Sequence, residues 1–357
     1  MNDISLKSIE SFRFRFPVFF KQQNKRDMRR AIIHIGLEKT GSTFIQDFFS
    51  LNKQEIREYG LYYSQCLTGK NHARLVLLGQ ENETTPNKIH RWVGLEPEKV
   101  QSANQSWLEE VGAESSGAHT FWASSEFLSS ILLRQENCRQ FIDNLRRVFD
   151  VVSIVVFVRK QEELLLSRYS TSVLDGNHKP MQIDKVPGEI KVLSILERWG
   201  SLLKPENFFV LPYFSDLNVQ EVIEILVTRT TGLKPELSRF FWPKGEVNSR
   251  LTFSGLEAIR RINERYGPIP PGKRPEVLSF VTSKTQHEQK FMLSEERFRE
   301  ATERFASVNR EIALALTETD RERFLEASRT DSVGANVGYD PKLVDRLETT
   351  IRKLMKS

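Results

Sequence analysis

Three observations predict an α/β fold: a doubly wound parallel sheet flanked by helices, with a helical C-terminal third. Short β-branched or aromatic runs alternate with amphipathic stretches between residues 31 and 215. One run, VVSIVVFV at 151–158, is apolar at almost every position, as a strand covered on both faces of a parallel sheet must be. Beyond residue 216 the strand-like runs give way to helical periodicity. Strands alternating with helices favour a parallel sheet with crossover helices.

In chain order, RRAIIHIG reads as a short buried strand, apolar over 31–35 except for His34. STFIQDFFSLNKQEIREYG follows as a helix whose stripe is Phe44, Ile45, Phe48, Phe49 and Leu51. GLYYSQ is a second strand, ARLVLLGQ starts another helix, and ENETTPNKIHRWVGLEP reads as loop. SANQSWLEEVGAESSGAHTFWASSEFL gives a helix, a Gly/Ser turn and a strand over 120–123. RQENCRQFIDNLRRVF is an amphipathic helix that leads into the strand at 151–158. QEELLLSRYSTSVL and SILERWGSLL are helices, and NFFVLPYF is the last strand. VQEVIEILVTRTTGL and SGLEAIRRINERYG are helical, and PIPPGKRPEV is a turn-rich break. SEERFREATERFASVNREIALAL is a long helix with Ser294 as N-cap, Glu295 and Glu296 in its first turn, and Phe298, Phe305, Val308 and Ile312 on one face.

Composition narrows the class. A hydrophobic fraction of 39% and a charged fraction of 28% are those of a globular protein. No apolar run is long enough to cross a bilayer, and the arginines within FRFRFPVFF break the apolar core a signal peptide needs. A cytoplasmic protein is the expectation. Cys66 and Cys138 have no metal-type spacing and make no disulfide framework. The net charge is +5, and residues 1–30 account for all of it with eight Lys/Arg against three acids. That concentration gives no sign of a nucleic-acid partner; the basic segment is read as a partly ordered lead-in to the first strand, with contact to an anionic membrane surface or polymer as the alternative.

The stretch that carries chemistry is GLEKTGST, residues 36–43, between the first strand and its helix. Unpaired N–H groups and the helix dipole make such a junction a site for a phosphate or sulfate group. Gly36 and Gly41 have the spacing of a phosphate loop, but Ser42 stands where a nucleotide hydrolase has its lysine. The lysine is Lys39, inside the loop. The strand at 151–158 ends in Arg159, whereas a hydrolase wants an acid at a neighbouring strand end to help hold Mg²⁺. The pattern suits a nucleotide gripped by side-chain charge without a metal.

HIGLEKTGSTFIQ resembles the 5′-phosphosulfate loop of the sulfotransferases that use 3′-phosphoadenosine 5′-phosphosulfate (PAPS). Lys39, Gly41, Ser42 and Thr43 match that pattern. VRKQEELLLSRY resembles the family's 3′-phosphate motif through Arg159 and Ser167. Lys39 and Arg159 stand 120 residues apart, each at an expected strand-to-helix junction. KTGST and SSEF are most similar to bacterial cytoplasmic and carbohydrate-type members. The resemblance implies a P-loop-type sheet and PAPS as donor with no metal. It implies a hydroxyl-bearing acceptor, a glycan or glycolipid. Lys39 is to stabilise the leaving phosphate, Thr40, Gly41, Ser42 and Thr43 are to hold the 5′-phosphate, and Arg159 and Ser167 the 3′-phosphate. It divides the chain into a basic segment 1–30, a sulfotransferase-like domain 31–330 (nucleotide-binding core 31–215, helical part 216–330), and a loop with a C-terminal helix at 331–357.

The acceptor hydroxyl must lose a proton as it attacks, so a base should face the sulfuryl group. Glu126, after the strand in FWASSEFL, is the preferred candidate, and His72 in GKNHARL is the other. Arg250 in EVNSRLTFSG is a further nucleotide contact by loose resemblance. Trp122, Tyr169, Trp199 and Tyr213 could form a sugar platform but are read as core aromatics, and His34 as a core histidine. A P-loop kinase or nucleotide hydrolase, and an inactive nucleotide-binding relative, are the alternatives.

Overall fold

The computed structural model describes residues 28–64, 71–115, 117, 119–183, 189–214, 217–243, 251–326 and 338–356. Most of the basic segment, Cys66, Arg250 and residues 331–337, where a loop is expected, lie outside the described residues. The described residues fall into two compact units. One takes those within Met1–Val158, Ile190–Gly245 and Glu311–Glu322, the other those within Arg159–Glu189, Glu246–Arg310 and Arg323–Ser357.

The chain runs through β1 (Arg30–His34), α1 (Ser42–Leu51), α2 (Lys53–Arg57), β2 (Leu61–Tyr63), α3 (Lys88–Val93), α4 (Val100–Glu114), β3 (Thr120–Ser124), α5 (Phe127–Ile131), α6 (Gln135–Leu145) and β4 (Val151–Val158). Then come α7 (Gln161–Leu174), α8 (Glu189–Gly200), β5 (Phe208–Pro212), α9 (Val219–Thr231), α10 (Phe253–Tyr266), α11 (Arg274–Thr285), α12 (Glu295–Leu314), α13 (Glu318–Glu326) and α14 (Pro341–Lys356).

The first unit is built on a five-stranded sheet in the order β2-β3-β1-β4-β5, and its strand pairs are parallel. The expected α/β class and parallel sheet are therefore present. β1 is central, so Ala31, Ile32 and Ile33 are fully buried. In the register, His34 lies opposite Ser124 on one side and Val155 on the other. α1 covers one face: Phe49 stacks on Trp122 at 4.4 Å and on Tyr63 at 5.4 Å between ring centroids. Burying a ring such as Phe49 contributes about 1.5–3 kcal/mol, which holds the C-terminal half of α1 against β2 and β3.

The second unit is helical. Leu166 and Val173 of α7 share one core with Ile259 and Ile262 of α10, Val281 of α11, Phe305 of α12, and Val344 and Ile351 of α14. The Asn263 amide donates to the carbonyls of Val173, at 2.6 Å, and Asn177, tying α10 to the end of α7. The Thr252 hydroxyl caps α10 by accepting from Gly255 N–H. Ser294 accepts from Arg297 N–H at the start of α12, as its sequence predicts.

Four elements differ from the sequence reading. The helix expected over 42–60 breaks at Asn52, whose amide donates to both Phe48 O and Phe241 O. The run Ala73–Gly79 winds as a 3-10 helix. α3 occupies a stretch read as loop: the Asn87 side chain and His90 form a capping box, and Gly94 in the left-handed region closes the other end. α11 follows the proline-rich break because Pro275 sits in its first turn, where a missing N–H is harmless.

Among the described residues no helix is long and apolar enough to cross a membrane.

Candidate active site

The loop between β1 and α1 makes three left-handed turns. Gly36 has φ +45°, Lys39 +68° and Gly41 +78°. For a lysine this conformation is unfavourable by about 1–2 kcal/mol, and strain of this kind gathers at functional loops. The Thr40 hydroxyl donates to the Leu37 carbonyl at 2.7 Å, and the Ser42 hydroxyl donates to the same oxygen at 3.3 Å. Thr40 is fully buried and Ser42 nearly so. Those two hydroxyls, expected to face a phosphate, are turned inward and hold the loop in shape. Lys39, Gly41 and Thr43 are the partly exposed members of the set.

Gly41 is the N-cap of α1. It gives no side-chain cap, and the first turn carries no acid. The first N–H groups of a helix have no partner within the helix, so this terminus retains its full preference for an anion. A Cβ on Gly41 would stand 3.0 Å from the Tyr213 ring. Tyr213 is held there because its N–H donates to the Val158 carbonyl at 2.7 Å, just past β5. It is partly exposed, unlike Trp122, Trp199 and Tyr169. Sequence reading had placed it with the core, since a tyrosine after a strand gives no local sign of what it covers.

Glu126 lies on the other side of the loop. Ser125 N–H donates to the His34 carbonyl at 2.9 Å, which extends the β1–β3 ladder and delivers Glu126 to the start of α5. A Cβ on Gly36 would stand 3.3 Å from Glu126 Cα, and the Ser129 hydroxyl donates to both the Gly36 and Glu126 carbonyls. Burial raises the Glu126 carboxyl above its ordinary range. Glu38 raises it further and Lys39 pulls it back. A carboxylate that retains affinity for a proton near a lysine is suited to general-base work.

His72 does something else. It is 1% exposed, its Nδ1 accepts from Ser124 N–H at 3.1 Å, and its ring packs against Tyr63 with centroids 4.4 Å apart and planes tilted by 35°. Burial pushes it down to about 3, opposed by a hydrogen bond with the Ser64 backbone. The ring is neutral, enclosed and joined to backbone. This arrangement braces the end of β3 and favours Glu126 over His72 as the base. His34 is likewise buried and pushed down to about 3, with Nδ1 2.8 Å from the Ser124 hydroxyl. Gln46 of α1 donates to that same hydroxyl at 3.3 Å. Ser124 thus links β1, α1 and His72 directly behind the loop.

Arg159 and Ser167 belong to the second unit. Arg159 Nε donates to Glu163 Oε2 at 3.0 Å, one helical turn on, and both side chains are buried. Gln161 N–H donates to Asn309 Oδ1 at 3.1 Å, and the Asn309 amide donates to Glu162 at 2.7 Å. Burial raises the Glu162 carboxyl. The first turn of α7 thus carries two acids, which its dipole favours, and Arg159 and Lys160 offset their charge. Ser167 is partly exposed in the second turn.

No family model, curated protein or solved structure matches the chain.

The first unit gathers a strained loop, an uncapped helix terminus, a lysine and a raised carboxylate. That set can hold an anionic group and accept a proton beside it. Within the second unit Arg159 is buried and paired with an acid, so an anion at Arg159 would compete with Glu163.

Proposed function

We propose that this protein is a sulfotransferase that moves the sulfuryl group of PAPS to a hydroxyl of an acceptor, a carbohydrate or glycolipid, by in-line displacement without a metal. The observation that carries the reading is the convergence of Glu126 on the Lys39 loop, with Gly36 packed against Glu126 Cα and the charges of Lys39 and Glu126 acting on each other. The order of the sheet supports the P-loop-type architecture. The chain leaves β1 toward β2 and leaves the adjacent β4 toward β5, in opposite directions. Open α/β sheets bind ligands at the carboxyl ends of two such strands. The loop follows β1, and Arg159 follows β4 in the chain.

Each group has a role in the chemistry. Glu126 takes the proton of the acceptor hydroxyl as its oxygen bonds to sulfur. The bond between sulfur and the phosphate oxygen breaks, and Lys39 meets the charge that grows on that oxygen. Gly41, Thr43 and the uncapped first turn of α1 bind the 5′-phosphate, Thr40 and Ser42 shape the loop around it, and Tyr213 covers it. Arg159 and Ser167 take the 3′-phosphate.

The test is release of adenosine 3′,5′-bisphosphate from PAPS in EDTA, with a panel of oligosaccharides as acceptors. The reading expects release that depends on an acceptor and falls sharply in Lys39→Ala. Release of ADP from ATP with Mg²⁺, and none from PAPS, would instead favour a kinase or hydrolase.

A further inference from the structure

The surface beside Glu126 carries an aromatic pair that the core does not explain. Trp92 of α3 is 50% exposed, whereas Trp107, Trp122 and Trp199 are buried. Its indole meets the ring of Phe127 edge-on, with centroids 4.7 Å apart and planes at 81°. Phe127 is the residue bonded to Glu126 and is itself only half-buried. The two rings meet edge-on at the residue that follows Glu126, whose backbone packs against Gly36 of the loop. A helix of only six residues is marginal alone, but α3 is pinned at both ends, by the Asn87–His90 capping box and by Gly94. Ile89 and His90 are buried beneath it. Trp92 is therefore held out toward solvent on a fixed base. Lys88 and Arg91, both exposed, stand four and one residues before Trp92. Lys88, four residues before Trp92, shares its helix face, and Arg91 is its neighbour in the chain, so two hydrogen-bond donors belong to the same short helix.

We infer that Trp92 and Phe127 form the acceptor side of the site and take the apolar face of a pyranose ring, with Lys88 and Arg91 donating to its hydroxyls. A sugar has an apolar C–H face and a polar rim, and an exposed indole bordered by donors complements both. Binding sites combine an apolar wall with a few placed polar groups in this way. The position next to Glu126 brings a ring hydroxyl to the base. This inference rests on the proposed sulfuryl transfer and names the part of the chain that recognises the acceptor.

The experiment is a titration of tryptophan fluorescence in the full chain, saturated with adenosine 3′,5′-bisphosphate. The probes are the methyl glycosides of glucose, galactose, mannose and N-acetylglucosamine, taken into the millimolar range. Bisphosphate affinity is measured alongside for the wild type, Trp92→Ala and Trp92→Phe. The expected result is a saturable change with at least one glycoside. Affinity read by calorimetry should fall roughly tenfold or more in Trp92→Ala and be partly kept in Trp92→Phe, with bisphosphate affinity equal in all three. The inference is overturned alone if the nucleotide binds and no glycoside responds, or if Trp92→Ala binds sugar as the wild type does. If the wild type binds no bisphosphate, the transfer reading falls and this one falls with it.

Discussion

Gly36 and Glu126 are packed backbone to backbone: a Cβ on Gly36 would stand 3.3 Å from both Cα and Cβ of Glu126, and 2.8 Å from the Ser42 hydroxyl oxygen. The loop after β1 and the residue that opens α5 therefore keep their spacing only while position 36 lacks a side chain. Gly36 also has φ +45°, which alanine adopts only with strain. Gly36→Ala should destabilise the protein by about 1–3 kcal/mol, read as a lower midpoint in urea. It should weaken anion binding at the loop more than the loss of stability explains.

Glu126→Gln removes the proton acceptor and keeps the shape. Transfer should drop by roughly two orders of magnitude or more, with bisphosphate affinity preserved. In the wild type the ionised form is the working one, so the rate should rise with pH through a value above the usual carboxylate range. A variant with unchanged turnover, or a profile flat across that range, would take Glu126 out of the mechanism.

His34 and His72 predict acid sensitivity. Both are buried and pushed down to about 3 from an ordinary value of 6.5. A group with a lowered folded value contributes stability that is complete above pH 6.5 and lost as the pH falls toward 3. The loss should reach on the order of 2–3 kcal/mol per histidine by pH 4.5. Urea midpoints measured from pH 7.5 to 4.5 should show this slope, and His34→Asn and His72→Asn should each flatten it. His72→Asn should leave the pH dependence of turnover unchanged, since the proposed base is Glu126 and the His72 ring is enclosed.

The Arg159–Glu163 pair makes a prediction with two arms. Arg159→Ala removes the guanidinium that Glu163 accepts from, which should lower stability, and it should weaken bisphosphate binding. Glu163→Gln removes the competitor for the guanidinium, so bisphosphate should bind as tightly as in the wild type or more tightly. Weaker binding in Glu163→Gln would mean that the pair acts as a unit or that Arg159 is no ligand.

What the sequence revealed follows from how local each signal is. The strand–loop–helix around Lys39 is written in contiguous residues, and so are the unbroken apolar run of β4 and the N-cap at Ser294. Glu126 could be placed at a strand end because β3 is short and aromatic. His72 could not be read as buried, because its partners, Ser124 and Tyr63, are brought to it by the sheet. The inward turn of the Thr40 and Ser42 hydroxyls was hidden for a similar reason: three positive-φ residues decide where they point. α3 was missed because its asparagine, proline and glycine were read as loop, although Asn87 and Gly94 are caps. Trp92 was missed along with it.

The most direct test of the central claim is calorimetric titration with adenosine 3′,5′-bisphosphate in EDTA, with ATP as the comparison. The account predicts metal-free binding of the bisphosphate in the micromolar range and little binding of ATP. Preference for ATP, or binding only when Mg²⁺ is supplied, would contradict it.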